Sequence, residues 1–408
     1  LAWAGNVTWT GGNTAATWSV GTNWSTGSAP VNGDRAIINA GDSATITAST
    51  EIDRYSNSGT ITINTGCVLT ISGTTPAIEG TGTTVTNGTG YIHVTAGSTG
   101  GFLINQGCTL GNLDFDEASG NTMGVRSGAT VIINGYFKVT RGNFTGIDTM
   151  NPISTIDISG TLTIGANGTI TNTAAAATSC NFLVGGDWIQ AGKWIPGTQG
   201  TVTFDGTAAQ IIDVERQDAD STNDFYKLTI ANTSAAVTFV DNPNDDFVIT
   251  NTLTVNTGAQ FVIQDTTDFD STVTLSGTAI LRLEGPLTDD ASELGTTLNV
   301  NQSTIIYAGT AAQTVFTQIN DTTAISYYNL TISNTGAAVA TTQTGGTLTV
   351  TNALAISADG ELLVATTYDN DGTLTFTGAG GVLNLGAAIT DDASELGTTF
   401  TQAQGTVT

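Results

Sequence analysis

The chain contains few basic residues, and this shortage excludes more functions than any other feature of its composition. Among 408 residues there are 9 Lys and Arg but 35 Asp and Glu, and the formal net charge at pH 7 is −26. No Lys or Arg follows Arg282. Nucleic acids and anionic lipid surfaces are bound through clustered cations. Neither is therefore expected as a partner.

Long apolar runs and cysteines are also scarce. No run of about 18 apolar residues occurs, so the sequence predicts no membrane insertion. Three cysteines, Cys67, Cys108 and Cys180, are too few to make a disulfide framework for a chain of this length. Cys67 and Cys108 are 41 positions apart, about two turns of a solenoid, which is too far for a bridge. All three are predicted to be buried thiols.

Histidine is represented once, by His93. A Ser-His-Asp triad is therefore almost excluded, as is a metal site with several histidines. In the segment YIHVT, His93 shares one strand face with Tyr91 and Thr95, and it is interpreted as an ordinary strand residue. No catalytic residue and no cofactor is predicted.

What the sequence does contain is repetition. The block TDDASELGTT at 288–297 returns at 390–399, an offset of 102 residues. At nearly the same offset GTAAQ at 206–210 recurs at 309–313, and FYKLTIANTSAAV at 225–237 recurs as YYNLTISNTGAAV at 327–339. Repeats of this kind are typical of a solenoid. The predicted organisation is a Trp-rich cap over 1–34, degenerate coils over 35–204, and two long repeats over 205–306 and 307–408.

Short alternating segments predict the secondary structure. Examples are GTITI at 59–63, GTLTI at 160–164 and GTLTF at 372–376, in which apolar residues occupy every second position. Such strands recur every 10 to 25 residues or so, and no stretch shows a helical period. The sequence therefore predicts an all-β parallel β-helix with coils of roughly 20–25 residues. Tandem β-sandwich domains remain the alternative.

Two segments carry a resemblance to a known class of proteins. Residues 9–39, WTGGNTAATWSVGTNWSTGSAPVNGDRAIIN, resemble the start of secreted bacterial β-helix surface proteins, including autotransporter-like passengers. Residues 185–210 are similar to repeats of large extracellular adhesin-like proteins. The resemblance implies a secreted, cell-surface location, and the opening LAWAGNVTW is interpreted as a processed N-terminus. Proteins of this class include adhesins, filaments and enzymes.

The predicted assembly sites lie at the two ends of the sequence. Trp3, Trp9, Trp18 and Trp24 are interpreted as a lid over the first coil, with a sugar-stacking platform as the alternative. Thr406, Val407 and Thr408 match Thr201, Val202 and Thr203, where the earlier copy continues into a strand. This match predicts an open β-edge and head-to-tail self-association, in which the Trp-rich segment of one subunit sits on the last coil of another.

Acidic clusters supply the remaining candidate sites. Calcium is considered at Asp241, Asp245 and Asp246, and in the two copies of the repeated block, at Asp289, Asp290, Asp391 and Asp392. Carboxylate pairs for glycoside hydrolysis could come from Asp114, Asp116 and Glu117, or from Asp265, Asp268 and Asp270, but surface charge is the preferred interpretation.

The function expected from these features is that of an extracellular structural protein, the repeating subunit of a cell-surface filament. Two alternatives remain open. A monomeric adhesin that binds surface glycans would be favoured by an exposed pair formed by Trp188 and Trp194, which lie six positions apart. A polysaccharide-degrading β-helix enzyme would need two carboxylates, or an acid and an Arg, in one groove.

Overall fold

The structure is a computed structural model. It describes residues 5–11, 16–73, 78–95, 102–104, 107–118, 122–125, 130–145, 154–172, 180–214, 225–240, 247–264, 266–269, 271–286, 294–319, 322–335, 339–386, 399–401 and 405–408.

Nearly every regular element in these ranges is a short β-strand, as the alternating sequence pattern predicts. The strands up to residue 204 are β1 (Asn6–Thr8), β2 (Ala16–Thr17), β3 (Arg35–Ile38), β4 (Ser43–Ile46), β5 (Thr50–Ile52), β6 (Arg54–Asn57), β7 (Thr60–Ile63), β8 (Val68–Ile71), β9 (Ile78–Glu79), β10 (Thr83–Thr86), β11 (Tyr91–Val94), β12 (Phe102–Ile104), β13 (Thr109–Leu110), β14 (Leu113–Asp116), β15 (Thr122–Val125), β16 (Thr130–Ile133), β17 (Phe137–Thr145), β18 (Thr155–Ile158), β19 (Leu162–Thr171), β20 (Asn181–Val184), β21 (Trp188–Gln190), β22 (Lys193–Ile195) and β23 (Val202–Phe204). A 3-10 helix covers Gly21–Asn23.

The strands after residue 204 continue the same pattern. They are β24 (Gln210–Val214), β25 (Phe225–Ile230), β26 (Val237–Phe239), β27 (Phe247–Val255), β28 (Gln260–Ile263), β29 (Thr267–Asp268), β30 (Thr272–Leu275), β31 (Ile280–Leu283), β32 (Thr297–Asn299), β33 (Thr304–Tyr307), β34 (Gln313–Val315), β35 (Gln318–Ile319), β36 (Thr323–Ala324), β37 (Ser326–Ile332), β38 (Ala340–Thr342), β39 (Thr347–Ile356), β40 (Glu361–Val364), β41 (Thr367–Asn370), β42 (Thr373–Phe376), β43 (Val382–Leu385), β44 (Thr399–Thr401) and β45 (Thr406–Val407).

The fold is a parallel β-solenoid of about 13 stacked turns, which confirms the predicted fold class. The chain divides into two compact units: unit 1 comprises 1–203 with 214–219, and unit 2 comprises 204–213 with 220–408. Among the described residues no helix is long and apolar enough to cross a membrane.

Unit 1 is three-sided, because its strands pair with those one coil away in three parallel ladders. Ladder I contains β5, β8, β11, β14, the first part of β17, the first part of β19, and β21. Ladder II contains β1, β3, β6, β9, β12, β15, the second parts of β17 and β19, and β22. Ladder III contains β2, β4, β7, β10, β13, β16, β18 and β20. The coils differ in length, since Ser43 faces Thr60 but Thr83 faces Thr109.

Unit 2 has the same coil geometry, and its ladders reveal how the long repeat is built. Ladder IV contains β25, β27, β30 and β32. Ladder V contains β24, β26, β28, β31 and β33, and it continues through β37, β39, β42 and β44. Ladder VI contains β34, β38, β40, β43 and β45.

The second long repeat is rotated by one face of the coil relative to the first. By sequence β37 (SYYNLTI) corresponds to β25 (FYKLTI) of ladder IV, yet β37 pairs with β33 of ladder V. Likewise β43 corresponds to β31 of ladder V but lies in ladder VI. The repeat of 102 residues therefore spans four coils and one additional face. The two copies of TDDASELGTT consequently lead into strands of different ladders, β32 and β44.

The core is filled by the apolar residue at every second strand position. The burial pattern of most strands alternates strictly, as in GTITI, where Ile61 and Ile63 are fully buried. Outward positions hold Thr and Asn in register: Thr229, Thr254, Thr274 and Asn299 are partners on successive coils of ladder IV. Such columns pack side chains of one type across neighbouring strands.

A buried tryptophan cluster lies near the first strands. Trp9, Trp18 and Trp24 are almost fully buried, at 1%, 2% and 2% exposure. The ring of Trp24 lies edge-to-face against both others, with centroid distances of 4.9 Å to Trp9 and 4.6 Å to Trp18. Its indole Nε1 donates a hydrogen bond of 2.7 Å to the carbonyl of Trp18. The three buried rings therefore offer no exposed sugar platform, and their role as a lid stays a prediction. Trp3 lies outside the described residues.

The recurring GTAAQ segment has a structural explanation. In the second copy Gln313 is buried, and its Oε1 accepts hydrogen bonds from the backbone N–H of Gly309 at 2.7 Å and from Nδ2 of Asn334 at 3.1 Å. In the first copy, Oε1 of buried Gln210 accepts from Gly206 and Asn232, both at 3.1 Å. Asn232 and Asn334 are themselves corresponding residues of the repeat. The repetition therefore preserves a buried amide contact between successive coils.

Candidate functional site

The acidic residues proposed as calcium ligands all lie outside the described residues: Asp241, Asp245, Asp246, Asp289, Asp290, Asp391 and Asp392. The calcium assignment stays a prediction. Within the described ranges no group of three His, Cys, Asp or Glu residues could hold a metal ion.

The tryptophan pair considered for glycan stacking is turned inward. Trp188 is fully buried and Trp194 is 7% exposed, with their rings edge-to-face at 5.0 Å. Trp188 belongs to ladder I and Trp194 to ladder II, so the two side chains meet across a corner inside the coil. An even spacing places two residues on the same side of a continuous strand, and the sequence did not show the corner between them. Trp188 and Trp194 therefore provide no exposed platform.

The cysteines are free and buried, as predicted. Burial raises the pKa of the Cys108 and Cys180 thiols to about 12. Cys67 precedes β8 of ladder I and Cys108 precedes β13 of ladder III, so the two lie on different faces and not in one column.

A polar face on ladder I of unit 1 brings together several ionisable side chains from successive coils. Its central row is formed by His93, Asp114 and Lys138, which are register partners on three successive coils. His93 Nδ1 lies 3.5 Å from Asp114 Oδ2. On the other side, the hydroxyl of Thr140 donates a hydrogen bond of 2.7 Å to Asp114 Oδ1. We call this surface, with Tyr91 and Tyr136 beside it, the His93 face.

The electrostatics of the His93 face keep Asp114 ionised. Partial burial raises the pKa of the Asp114 carboxyl. The contacts with His93 and Thr140 and the charge of Lys138 lower it by more, so the net shift of this pKa is downward. Tyr136 shows the opposite effect: burial first, and then the charge of Asp114, raises its pKa to about 12. At neutral pH the face therefore presents a carboxylate acceptor beside phenol and ammonium donors.

The two other candidate carboxylates, Asp116 at the end of β14 and Glu117 directly after it, have different environments. Asp116 points outward and accepts a hydrogen bond from Arg141 Nε, and this contact raises the pKa of the guanidinium. Glu117 is 4% exposed. Asp114 and Asp116 are thus each hydrogen-bonded to a neighbouring side chain. Asp265 and Asp270 lie outside the described residues, as does the side chain of Asp268.

A groove lies next to Arg141, at the corner where the chain passes from ladder I to ladder II. Gly142, with φ +86°, turns β17 from one ladder into the other, a conformation that favours glycine. On the next coil Asn167 is the register partner of Arg141. There a groove of 190 Å³ is lined by Asn167, Thr169, Lys193 and the small residues between them. Gly192 is required here, because a Cβ would lie 2.1 Å from the carbonyl oxygen of Gly165. We call it the Asn167 groove.

These features were not visible in the sequence. His93, Asp114 and Lys138 are separated by 21 and 24 positions, and coils of unequal length conceal which residues are in register. The only signal in the sequence was the small number of basic residues: His93, Lys138, Arg141 and Lys193 are four of the ten His, Lys and Arg residues, and they lie within five successive coils.

No protein-family model, no curated protein and no solved structure matches the chain.

Proposed function

We propose that the chain is a structural protein of the extracellular surface, a β-solenoid that serves as the repeating unit of a cell-surface filament. The observation that carries this proposal is the buried amide contact preserved by the repeat. Gln210 with Asn232, and Gln313 with Asn334, are the repeated residues, and both pairs stabilise the stacking of coils. The repeated residues thus stabilise the solenoid itself.

The chemistry of the described residues supports a structural role. The tryptophans at 9, 18, 24, 188 and 194 are buried in the core. The outward columns of ladder IV consist largely of threonine, with Asn299 at the last position of one column. The acidic composition is compatible with a solvated surface that repels nucleic acid and anionic membranes.

Self-association would use the contact that joins one coil to the next. Val407 of β45 faces Leu383 of β43 and is half-buried, while its neighbour Thr406 is exposed. Backbone N–H and C=O groups along the edge of a parallel ladder can pair with those of another chain. Head-to-tail stacking of subunits is therefore proposed, with β45 on one side of the contact.

The experiment compares two substitutions that add the same charge to neighbouring residues. Val407→Asp places a carboxylate toward the core, and Thr406→Asp places one toward solvent. Sedimentation velocity and negative-stain microscopy over a range of concentrations should show filaments for the unmodified chain and for Thr406→Asp. Val407→Asp should remain monomeric with unchanged circular dichroism. A monomeric unmodified chain at high concentration, or equal assembly of both variants, would contradict the proposal.

A further inference from the structure

The His93 face and the Asn167 groove form one continuous polar surface on unit 1. Arg141 connects them, since it bonds Asp116 on the strand of Asp114 and is in register with Asn167 of the groove. The surface crosses the coils of β11, β14, β17, β19 and β21–β22. At about 4.8 Å per coil it extends roughly 20 Å along the stacking direction.

The charges on this surface are balanced, unlike those of the chain as a whole. Asp114 and Asp116 oppose Lys138 and Arg141, and each pair consists of register partners on adjacent coils. A polyanion would meet the two carboxylates, and a polycation would meet the two bases. An uncharged ligand is repelled by neither set of charges, and it can bind to both if it donates and accepts hydrogen bonds.

Aromatic rings complete the chemistry. Tyr91 and Tyr136 are half-buried on the outer side of ladder I, and the ring of Tyr91 lies edge-to-face with His93 at a centroid distance of 5.8 Å. A tyrosine offers an apolar ring together with a polar hydroxyl. A pyranose has matching properties, because its C–H face is apolar and its hydroxyl groups both donate and accept hydrogen bonds.

The Asn167 groove supplies the concave part of the surface. Its 190 Å³ is bordered by the amide of Asn167, the hydroxyl of Thr169 and the exposed ammonium group of Lys193. Gly168 and Gly192 line it and let the coils approach closely, because a Cβ at either position would lie 2.2 Å or 2.1 Å from a backbone oxygen of the adjacent coil. Polar groups converging on a groove are typical of a small-molecule site.

We propose that this surface binds an uncharged, linear oligosaccharide that crosses the coils obliquely, with one sugar in the Asn167 groove and the following sugars over Lys138, Asp114 and Tyr136. The carboxylates and bases hydrogen-bond the hydroxyl groups, and the tyrosine rings contact the C–H faces. No covalent step is involved. This binding is independent of the assembly proposed above, because it uses unit 1 alone.

The test is isothermal titration calorimetry with cellohexaose, mannohexaose and maltohexaose as uncharged probes and hexagalacturonate as the charged probe. At least one uncharged hexasaccharide should bind with a dissociation constant below about 1 mM, and its disaccharide should bind more weakly. Tyr136→Ala should weaken binding by about tenfold, whereas Tyr136→Phe, which keeps the ring, should retain most of it. Asp114→Asn should also weaken binding.

A matched control comes from unit 2, where Tyr226 is half-buried beside Lys227, whose Nζ lies 5.7 Å from the ring centroid. Tyr226→Ala should leave binding unchanged. The proposal fails if none of the uncharged probes binds, if only hexagalacturonate binds, or if Tyr226→Ala and Tyr136→Ala weaken binding equally. Circular dichroism of each variant establishes that the fold is retained. If Tyr136→Ala does not fold, Asp114→Asn replaces it, and unchanged binding by that variant would overturn the proposal.

Discussion

Replacing Gln313 by Leu should destabilise unit 2 more than any exposed substitution of the same kind. The side chain makes four hydrogen bonds: Oε1 accepts from Gly309 and Asn334, and Nε2 donates to the carbonyls of Gly285 at 2.7 Å and Leu283 at 3.1 Å. The Leu283 carbonyl would keep its bond from the Ala308 N–H. The other three groups would lose the partner that Gln313 provides, and each such loss in a buried site costs about 1–3 kcal/mol.

The expected decrease in the free energy of unfolding is therefore at least about 3 kcal/mol, the lower limit for three such losses. Urea unfolding followed by circular dichroism measures the total, and hydrogen exchange should show faster exchange for peptides near 283–285, 309–313 and 334, with unit 1 unaffected. The control is Gln264→Leu, an exposed glutamine that bonds Glu284 at 3.0 Å and should cost less than about 1 kcal/mol. Equal effects of the two substitutions would refute the idea that the repeat preserves a stabilising amide contact.

Three further predictions concern close packing and buried thiols. Gly192→Ala should destabilise unit 1 by about 1–3 kcal/mol in urea unfolding, whereas Gly386→Ala, whose methyl would meet nothing closer than 3.4 Å, should have little effect; equal effects would contradict the close approach of the coils. Trp9→Ala should cost about 3–5 kcal/mol, and exposed Val31→Ala should be nearly neutral, so an equally mild Trp9→Ala would argue against the lid. Cys108 and Cys180, with pKa values raised to about 12, should not react with a thiol reagent at pH 8 until denaturant is added, and stability should fall as the pH rises above about 8.5, because unfolded thiols ionise there while native ones remain protonated. Rapid labelling of the native protein would show that these thiols are accessible.

The fold class could be predicted from sequence because the alternation of apolar residues is local. In GTITI or GTLTF the pattern itself determines which residues face the core. The identity of neighbours on adjacent coils could not be predicted, since it depends on the length of every intervening turn. Ser43 and Thr60 are 17 positions apart, but Thr83 and Thr109, in the same ladder, are 26 apart.

The same limit explains what was missed at the candidate site. His93 was correctly placed on an outward strand face with Tyr91, but its neighbours Asp114 and Lys138 come from other coils. The rotation of the second long repeat was also hidden, because the offset of 102 residues is constant in sequence whether or not it equals a whole number of coils. A sequence match likewise does not determine which ladder a strand joins. An example is the match of Thr406, Val407 and Thr408 with Thr201, Val202 and Thr203.

The central claim is that the second long repeat stacks on the first with a rotation of one coil face. Engineered disulfides between outward residues test this claim most directly. Ile306 and Thr331 are register partners of β33 and β37, at the strand spacing of about 4.8 Å that suits a disulfide. Thr331 corresponds to Thr229 of the first long repeat, which lies in the same outward column of ladder IV as Asn299. Without the rotation, Thr331 would therefore be the register partner of Asn299 on the next coil. The account predicts that Ile306→Cys with Thr331→Cys cross-links on mild oxidation and that Asn299→Cys with Thr331→Cys does not. The reverse outcome would contradict it.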